Sequence, residues 1–192
     1  MNLQEIFAQS LKEVEKLGSY RCVMELSSWD NEKNSTKQRY VYRAPGDVRI
    51  EQLGPFRKGA VVVIRTDGTI KARGGGLLSR FTVQLGRDSE LLKGVTGDSA
   101  VDSDWASILR KANTLARFVA KSEVSSVNMA QQRGYEVIAE LRDQPYDRIR
   151  MIIREDGPVL LLERYRQGDM RAQVKWIDIE INPEVRENEF SL

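Results

Sequence analysis

Residues 3–27 read LQEIFAQSLKEVEKLGSYRCVMELS, and the hydrophobic period changes inside them. Leu3, Ile6, Phe7, Leu11, Val14 and Leu17 recur at steps of three and four, with Lys12, Glu13, Glu15 and Lys16 between them. That spacing predicts an amphipathic helix, with Gly18 as its expected left-handed stop. From Tyr20 the period is two. Tyr20, Cys22, Met24 and Leu26 alternate with Arg21, Val23, Glu25 and Ser27, as in a strand with one wetter face.

The same alternation continues beyond a polar loop over Asp30 to Ser35. Gln38, Tyr40 and Tyr42 form one face of a second strand, and Ala44-Pro45-Gly46-Asp47 is a tight turn into Val48, Ile50 and Gln52. Two Asp-Gly pairs mark hairpins. Val61–Thr66 and Thr69–Arg73 flank Asp67-Gly68, a pair that suits a type I′ turn, and Ile149–Glu155 and Val159–Arg166 flank Asp156-Gly157, with Pro158 starting the returning strand. Gly168-Asp169 turns the chain into a strand over Arg171–Ile181, Tyr135–Leu141 precedes this meander, and a weaker strand lies near Val124–Met129. The pattern totals about nine or ten strands. Val61–Ile64 is apolar without a break, and the last strand shifts phase from Val174/Trp176 to Ile177/Ile179/Ile181. A covering loop, a bulge or a partner would each account for that.

Between the strand groups the pattern breaks. Gly74-Gly75-Gly76 releases the chain into Leu77, Leu78, Phe81, Val83 and Leu85, with Leu91 and Leu92 beyond, in an irregular segment over 74–99. Trp105, Ile108, Leu109, Ala112, Leu115 and Val119 then mark a second helix, capped by Asp102 or Ser103, with Lys121 in its last turn. Two amphipathic helices are too few for a bundle of their own. The expected fold is therefore α+β: one domain over 1–192, with a single curved antiparallel sheet, an incomplete half-barrel, wrapped around the N-terminal and central helices.

Composition narrows the chemistry. The 192 residues are 41% hydrophobic and 30% charged, with 30 Lys and Arg against 28 Asp and Glu, too balanced for a dedicated nucleic-acid binder. Histidine is absent, which removes every mechanism that needs an imidazole. The single cysteine, Cys22, forms no internal disulfide and reads as a small buried hydrophobe. The longest apolar runs, Ala60–Ile64 and Val159–Leu162, are far below the ~20 residues of a spanning helix. The first residues carry no basic or apolar leader signal, which fits either a cytosolic protein or a chain that begins after a removed leader.

Other constellations read as structure. The triple glycine lacks the flanking strand, helix and Lys-Ser/Thr of a phosphate loop and reads as a hinge. Arg57 and Lys58 form a short basic turn able to touch phosphates or acidic headgroups, although a solvated loop needs no such role. Asp98, Asp102 and Asp104 are helix-start acids, without calcium-loop spacing. Asp178 and Glu180 lie on a solvent face. Arg148, Arg150, Arg154, Arg164, Arg166 and Arg171, near Tyr165, interleave with Glu155, Glu163 and Asp169 and so predict ion pairing. No metal site, cofactor or catalytic group is expected.

The order of elements resembles the bacterial lipoprotein-carrier superfamily, which comprises LolA/LolB-like factors and the RseB-type sensor domain. Four stretches carry the likeness. They are the helix ending in Leu17-Gly18-Ser19-Tyr20-Arg21, the Pro45-Gly46-Asp47-Val48-Arg49 turn within Tyr40–Glu51, the strand Val62–Gly68 ending in Asp-Gly, and Ile177–Pro183 with the late Phe190. The segment 74–99 is longer and more irregular than that pattern, and no lipidated cysteine with its leader is present. The resemblance implies an eleven-stranded half-barrel whose concave apolar face binds acyl chains. It also implies a periplasmic or outer-membrane-associated protein whose leader has been removed.

The expected function is non-enzymatic binding of a lipid or lipoprotein acyl chain. The expected lining is Met24, Leu26, Tyr40, Tyr42, Ile50 and Val63 from the sheet, with Leu78, Phe81, Trp105 and Leu109 from the lid and second helix. Expected partners are a lipid or acylated lipoprotein and an envelope protein, with peripheral or lipid-anchored membrane association and no nucleic acid. The competing expectation is a sensor or interaction module of the same fold with a filled interior, docking a partner on an edge strand or on the Ile177–Ile181 surface.

Overall fold

The computed structural model describes residues 1–29, 34–129 and 132–192. Helix α1 (Leu3–Val14) starts where Asn2 accepts a hydrogen bond from the Glu5 N–H at 3.0 Å and Glu5 accepts one from the Asn2 N–H at 2.8 Å, a reciprocal capping box. The helix is a turn shorter than expected. Its C-cap is Glu15 in right-handed conformation, and Leu17 lies outside it. Gly18 is not left-handed; its N–H donates to Asn182 Oδ1 at 2.9 Å instead.

Eleven strands follow: β1 (Ser19–Ser28), β2 (Asn34–Arg43), β3 (Asp47–Gln52), β4 (Val61–Ile64), β5 (Ile70–Arg73), β6 (Thr82–Gln84), β7 (Val119–Met129), β8 (Gln132–Leu141), β9 (Arg148–Arg154), β10 (Val159–Arg166) and β11 (Asp169–Ile181). They form one open antiparallel sheet in the order β6-β5-β4-β3-β2-β1-β11-β10-β9-β8-β7. With helix α2 (Trp105–Leu115) this is the expected α+β fold, at the strand number the resemblance implied and above the number counted by pattern. Of the expected loop over 30–35, residues 30–33 lie outside the described residues, and Asn34 and Ser35 already belong to β2.

The chain divides into two compact units. The first holds residues 1–16 and 105–175 with Ser28 and Trp29. Here α1 packs on α2, tied at the surface by Arg110 to Glu15 at 2.6 Å. Ile6, Phe7, Trp105, Leu109, Val137, Met151, Ile153 and Val159 are almost wholly buried. The turn between β9 and β10 reaches α1: a Cβ on Gly157 would lie 2.9 Å from Val14 Cγ2, so only glycine fits. Helix α2 ends before Val119, where β7 begins after a short 3-10 turn, because the chain must extend to pair with β8. Lys121 is thus in β7, ion-paired to Glu123 at 3.0 Å, and not in a last helical turn.

Arg150, Arg154 and Arg171 of the predicted arginine alternation are ion-paired. Arg150 bridges Glu136 at 2.7 Å and Glu163 at 3.0 Å, Arg171 meets Asp169 at 3.3 Å, and Arg148 lies over the Tyr165 ring. Glu163 also accepts hydrogen bonds from Tyr165 Oη and Gln173 Nε2, each at 2.7 Å. Burial raises its pKa, but these three donors outweigh burial and hold the carboxyl below its ordinary range. A fully satisfied carboxylate of this kind fixes β9, β10 and β11 and is the opposite of a poised acid.

The second unit holds residues 17–27, 34–104 and 176–192. Both Asp-Gly hairpins close, yet Asp67 and Asp156 keep negative φ while Gly68 (86°) and Gly157 (110°) are positive. In the first, the Gly68 N–H donates to the Arg65 carbonyl and the Arg65 N–H to the Thr69 carbonyl. That is a three-residue loop with a glycine bulge, not the expected type I′ pair. Two successive positive φ values occur instead at Gln167 (55°) and Gly168 (85°), between the paired Arg166 and Asp169 in the first unit. The phase shift of the last strand is a local irregularity: Asp178 takes φ 52° where the inward Trp176 gives way to half-buried Ile177, Ile179 and Ile181.

Candidate functional site

The register of the second unit separates two sheet faces. Tyr40, Ile50, Val62, Ala72 and Val83 are successive cross-strand partners from β2 to β6. The next row on the same face is Tyr42, Val48, Ile64 and Ile70. Tyr20 joins this face from β1, stacking on Tyr40 (centroids 5.8 Å apart, planes 9° apart) and on Tyr42 (4.9 Å, 18°). Strand alternation then places Cys22, Met24 and Leu26 beside it. Met24, Leu26, Tyr40 and Ile50 are buried, and Tyr42 is half-buried. Five of the predicted lining residues therefore share one face.

The two rows themselves, Tyr40 to Val83 and Tyr42 to Ile70, hold no carboxylate or ammonium side chain, and the Asp104 carboxylate acts on Tyr40 from beside them. Burial, then the Asp104 charge, pushes the Tyr40 phenol well above its ordinary range, and the 3.4 Å hydrogen bond between the Ser103 and Tyr40 hydroxyls only partly offsets this. Burial likewise pushes the Cys22 thiol far up, so it carries no thiolate at neutral pH. Such a face offers dispersion, aromatic surface and neutral hydroxyls. It is suited to hydrocarbon and unsuited to acid–base work.

Val63 is set apart. It pairs with Arg49 and Lys71 in the alternate rows and packs with Val41, Val61 and Phe190 on the opposite face. The continuous apolar run Val61–Ile64 is apolar on both faces because the C-terminal tail covers the second one. Asn182 (φ 52°) turns the chain, its Oδ1 accepts the Gly18 and Ser19 N–H groups, and Ser19 Oγ donates to the Pro183 carbonyl at 2.7 Å. Phe190, Val185 and Leu192 then lie against the valines. Val41, a lone apolar residue between Arg39 and Arg43 on the wetter face of β2, could have signalled this second core.

Leu78 and Phe81 are also placed otherwise than expected, at 64% and 66% exposure. The segment extends the sheet and does not fold back across it: Gly76–Arg80 is a 3-10 turn, β6 pairs with β5, and the Leu85 N–H donates to the Ile70 carbonyl. Further along, the chain returns. Leu92 is buried, and a Cβ on Gly94 would lie 3.7 Å from Leu26 Cδ2. Asp102 ends a 3-10 turn and pairs with Arg87 at 3.7 Å, while Ser103 donates to the Ala100 carbonyl; neither is placed as the expected helix cap. Trp105 and Leu109 are fully buried within the first unit. That unit also carries an open depression of about 410 Å³ on α2, lined by Arg110, Lys111, Thr114 and Leu115, none of them a predicted lining residue.

The sequence matches no protein-family model and no curated protein sequence. Solved structures do match. An uncharacterized conserved protein from Thermus thermophilus aligns at 13% identity and TM-score 0.61 over 98% of this chain and 92% of its own. MucB in the Pseudomonas aeruginosa MucA/MucB complex aligns at 13% identity and TM-score 0.62 over 98% of this chain and 60% of its own. What is shared is the fold. A LolA superfamily protein, NE2245 from Nitrosomonas europaea, aligns along the whole chain at 11% identity and TM-score 0.47. This chain spans about three-fifths of the MucB chain, so what MucB does as a whole remains a statement about MucB.

Proposed function

We propose that this chain is a non-enzymatic cell-envelope protein that shelters an acyl chain against the aromatic-floored face of β1–β6. The observation that carries this reading is the graded row Tyr40–Ile50–Val62–Ala72–Val83. Its first two members are buried, the next two half-buried, and Val83 is 46% exposed at the sheet edge. A hydrocarbon tail following that row passes from water onto apolar side chains without crossing a charge. Each CH₂ transferred gains ~0.8 kcal/mol, so ten methylenes supply ~8 kcal/mol before ordering costs, enough for useful affinity without a catalytic group. Met24, Leu26, Tyr40, Tyr42 and Ile50 serve as the floor, and Ala72 and Val83 as the portal.

The test is displacement of a fluorescent fatty acid from the purified chain, with native mass spectrometry of protein extracted gently from cells. Bound lipid and saturable displacement support the proposal. Ala72→Arg, which puts a cation in the middle of the row, is expected to weaken displacement at least tenfold with unchanged circular dichroism. Absence of lipid and of displacement in the wild-type chain overturns it.

The MucA/MucB complex supports a second reading, in which the same fold binds a protein partner. The half-buried Ile177, Ile179 and Ile181 would supply apolar contact for it. A charge at Ile179 would weaken such a partner and leave fatty-acid displacement intact, which separates the two readings.

A further inference from the structure

Large exposed hydrophobic side chains are concentrated in one stretch of the second unit. Leu77 is 95% exposed, and Leu78, Phe81, Val83 and Leu91 lie between 46% and 66%. Five such residues within fifteen positions exceed the scatter of single apolar groups on an ordinary surface. The charge around them is one-sided. Residues 54–93 contain eight Lys and Arg against three Asp and Glu, whereas the whole chain carries only +2 and the remainder is therefore net negative. Of the three acids, Asp67 accepts the Thr69 N–H and Glu90 pairs with Lys93 at 2.7 Å. Among the described residues, Lys58, Lys71, Arg73 and Arg80 have no carboxylate within ion-pairing distance.

The basic and apolar groups are physically joined. Arg57 takes φ 52° in the β3–β4 loop and donates from Nη1 to the Leu91 carbonyl at 2.5 Å, at one end of the apolar segment. At the other end, Gly75 lies so close to the Lys58 carbonyl that any Cβ would overlap it. The basic loop thus braces both ends of the segment, and Arg80 and Arg87 both sit within it. Exposed Leu and Phe side chains framed by cations match one kind of surface: apolar groups enter the acyl boundary while Lys and Arg meet anionic headgroups.

We infer that the 77–91 segment, with the Arg57–Lys58 loop, docks this chain onto an anionic lipid bilayer. The inference does not require an interior acyl site, since the residues that carry it face water. It goes further in assigning the sheet edge at β6 to the membrane side of the molecule.

The experiment is cosedimentation of the full chain with vesicles of phosphatidylcholine alone and of phosphatidylcholine mixed with phosphatidylglycerol, at low and high salt. Binding to the mixed vesicles, at least tenfold weaker on phosphatidylcholine alone and reduced by salt, is the expected result. Leu77→Ser with Leu91→Ser, and separately Arg57→Gln with Lys58→Gln, are each expected to lower the bound fraction at least tenfold. Both pairs leave fatty-acid displacement unchanged, while Ala72→Arg weakens displacement at least tenfold and leaves vesicle binding in place. Failure of the wild-type chain to bind mixed vesicles overturns the inference. So does equal binding by the Leu77/Leu91 variant, or retention only by a second copy or another protein.

Discussion

Arg43 holds its guanidinium carbon 4.7 Å from the centre of the Phe190 ring, on the sheet face opposite Tyr40 and Tyr42. The contact joins the end of β2 to the last residues of the chain. It is reinforced where Glu187 bonds to Arg43 and to Arg65, each at 2.5 Å, and where Arg49 donates to the Glu189 and Ser191 carbonyls. The tail is therefore held by one aromatic anchor and a ring of arginines. Phe190→Ala removes the anchor of this second core and is expected to destabilise by about 3 kcal/mol, in line with Phe truncations elsewhere. Chemical denaturation measures it, and fatty-acid displacement at the native state should change little because the site lies across the sheet.

Asp47 gives the same region a pH dependence. Burial raises its carboxyl, but Arg43 at 2.6 Å, the Thr66 N–H and hydroxyl, and the Arg65 charge together hold it below the ordinary carboxylate range. A depressed folded-state pKa contributes stability that is present above the unfolded value of about 3.9 and is lost as pH falls through the folded value. Glu187 and Glu189 shift in the same direction. Asp47→Asn is expected to cost about 2 kcal/mol at neutral pH and almost nothing once the pH lies below the folded-state value of the Asp47 carboxyl. Urea midpoints at the two pH values decide it; an equal loss at both would place the effect in packing and not in charge.

Gly75→Ala tests the brace between the basic loop and the apolar segment. Its backbone φ of −88° suits alanine, so any loss comes from overlap with the Lys58 carbonyl alone. Overpacking of this type costs about 1–3 kcal/mol. The expected signature is a lowered melting temperature together with faster proteolysis between β5 and β6.

Cys22 is buried, with its thiol pushed far above the ordinary range. A disulfide reagent is expected to leave the native chain unlabelled and to react fully once urea unfolds it. Rapid labelling under native conditions would show that the face around Tyr20 opens readily.

The parts of the fold that were legible were those with a period. The switch after Leu17, the alternation of Tyr20–Leu26 and Gln38–Tyr42, and the Asp-Gly hairpins all have local causes, and they appear where the spacing puts them. Helix ends were less legible. Gly18 looks like a stop, yet a side chain 164 residues away, Asn182, engages its N–H. Conversely, the Asn2-to-Glu5 cap is a short-range signal that can be read directly. For the candidate site, alternation put Met24, Leu26, Tyr40, Tyr42 and Ile50 on one sheet face, which is where the strand register has them. Val63 misled because a strand apolar on both faces does not say which face a residue serves, and the covering element, the tail at Phe190, is more than 120 residues away. Leu78 and Phe81 misled for a different reason. Hydrophobicity alone does not distinguish a side chain turned inward from one left outside.

The sheet ends in two unlike borders. β6 offers only three residues for strand addition, whereas β7 leaves eleven along its outer side, with Lys121, Ser122, Glu123, Ser125, Ser126 and Asn128 among them. Charges and hydroxyls along so long an open border discourage neighbouring molecules from stacking strand to strand. Strand-to-strand association is thus opposed by the side chains of β7 itself, and replacing those serines with valine would turn this long border into a template for fibrils.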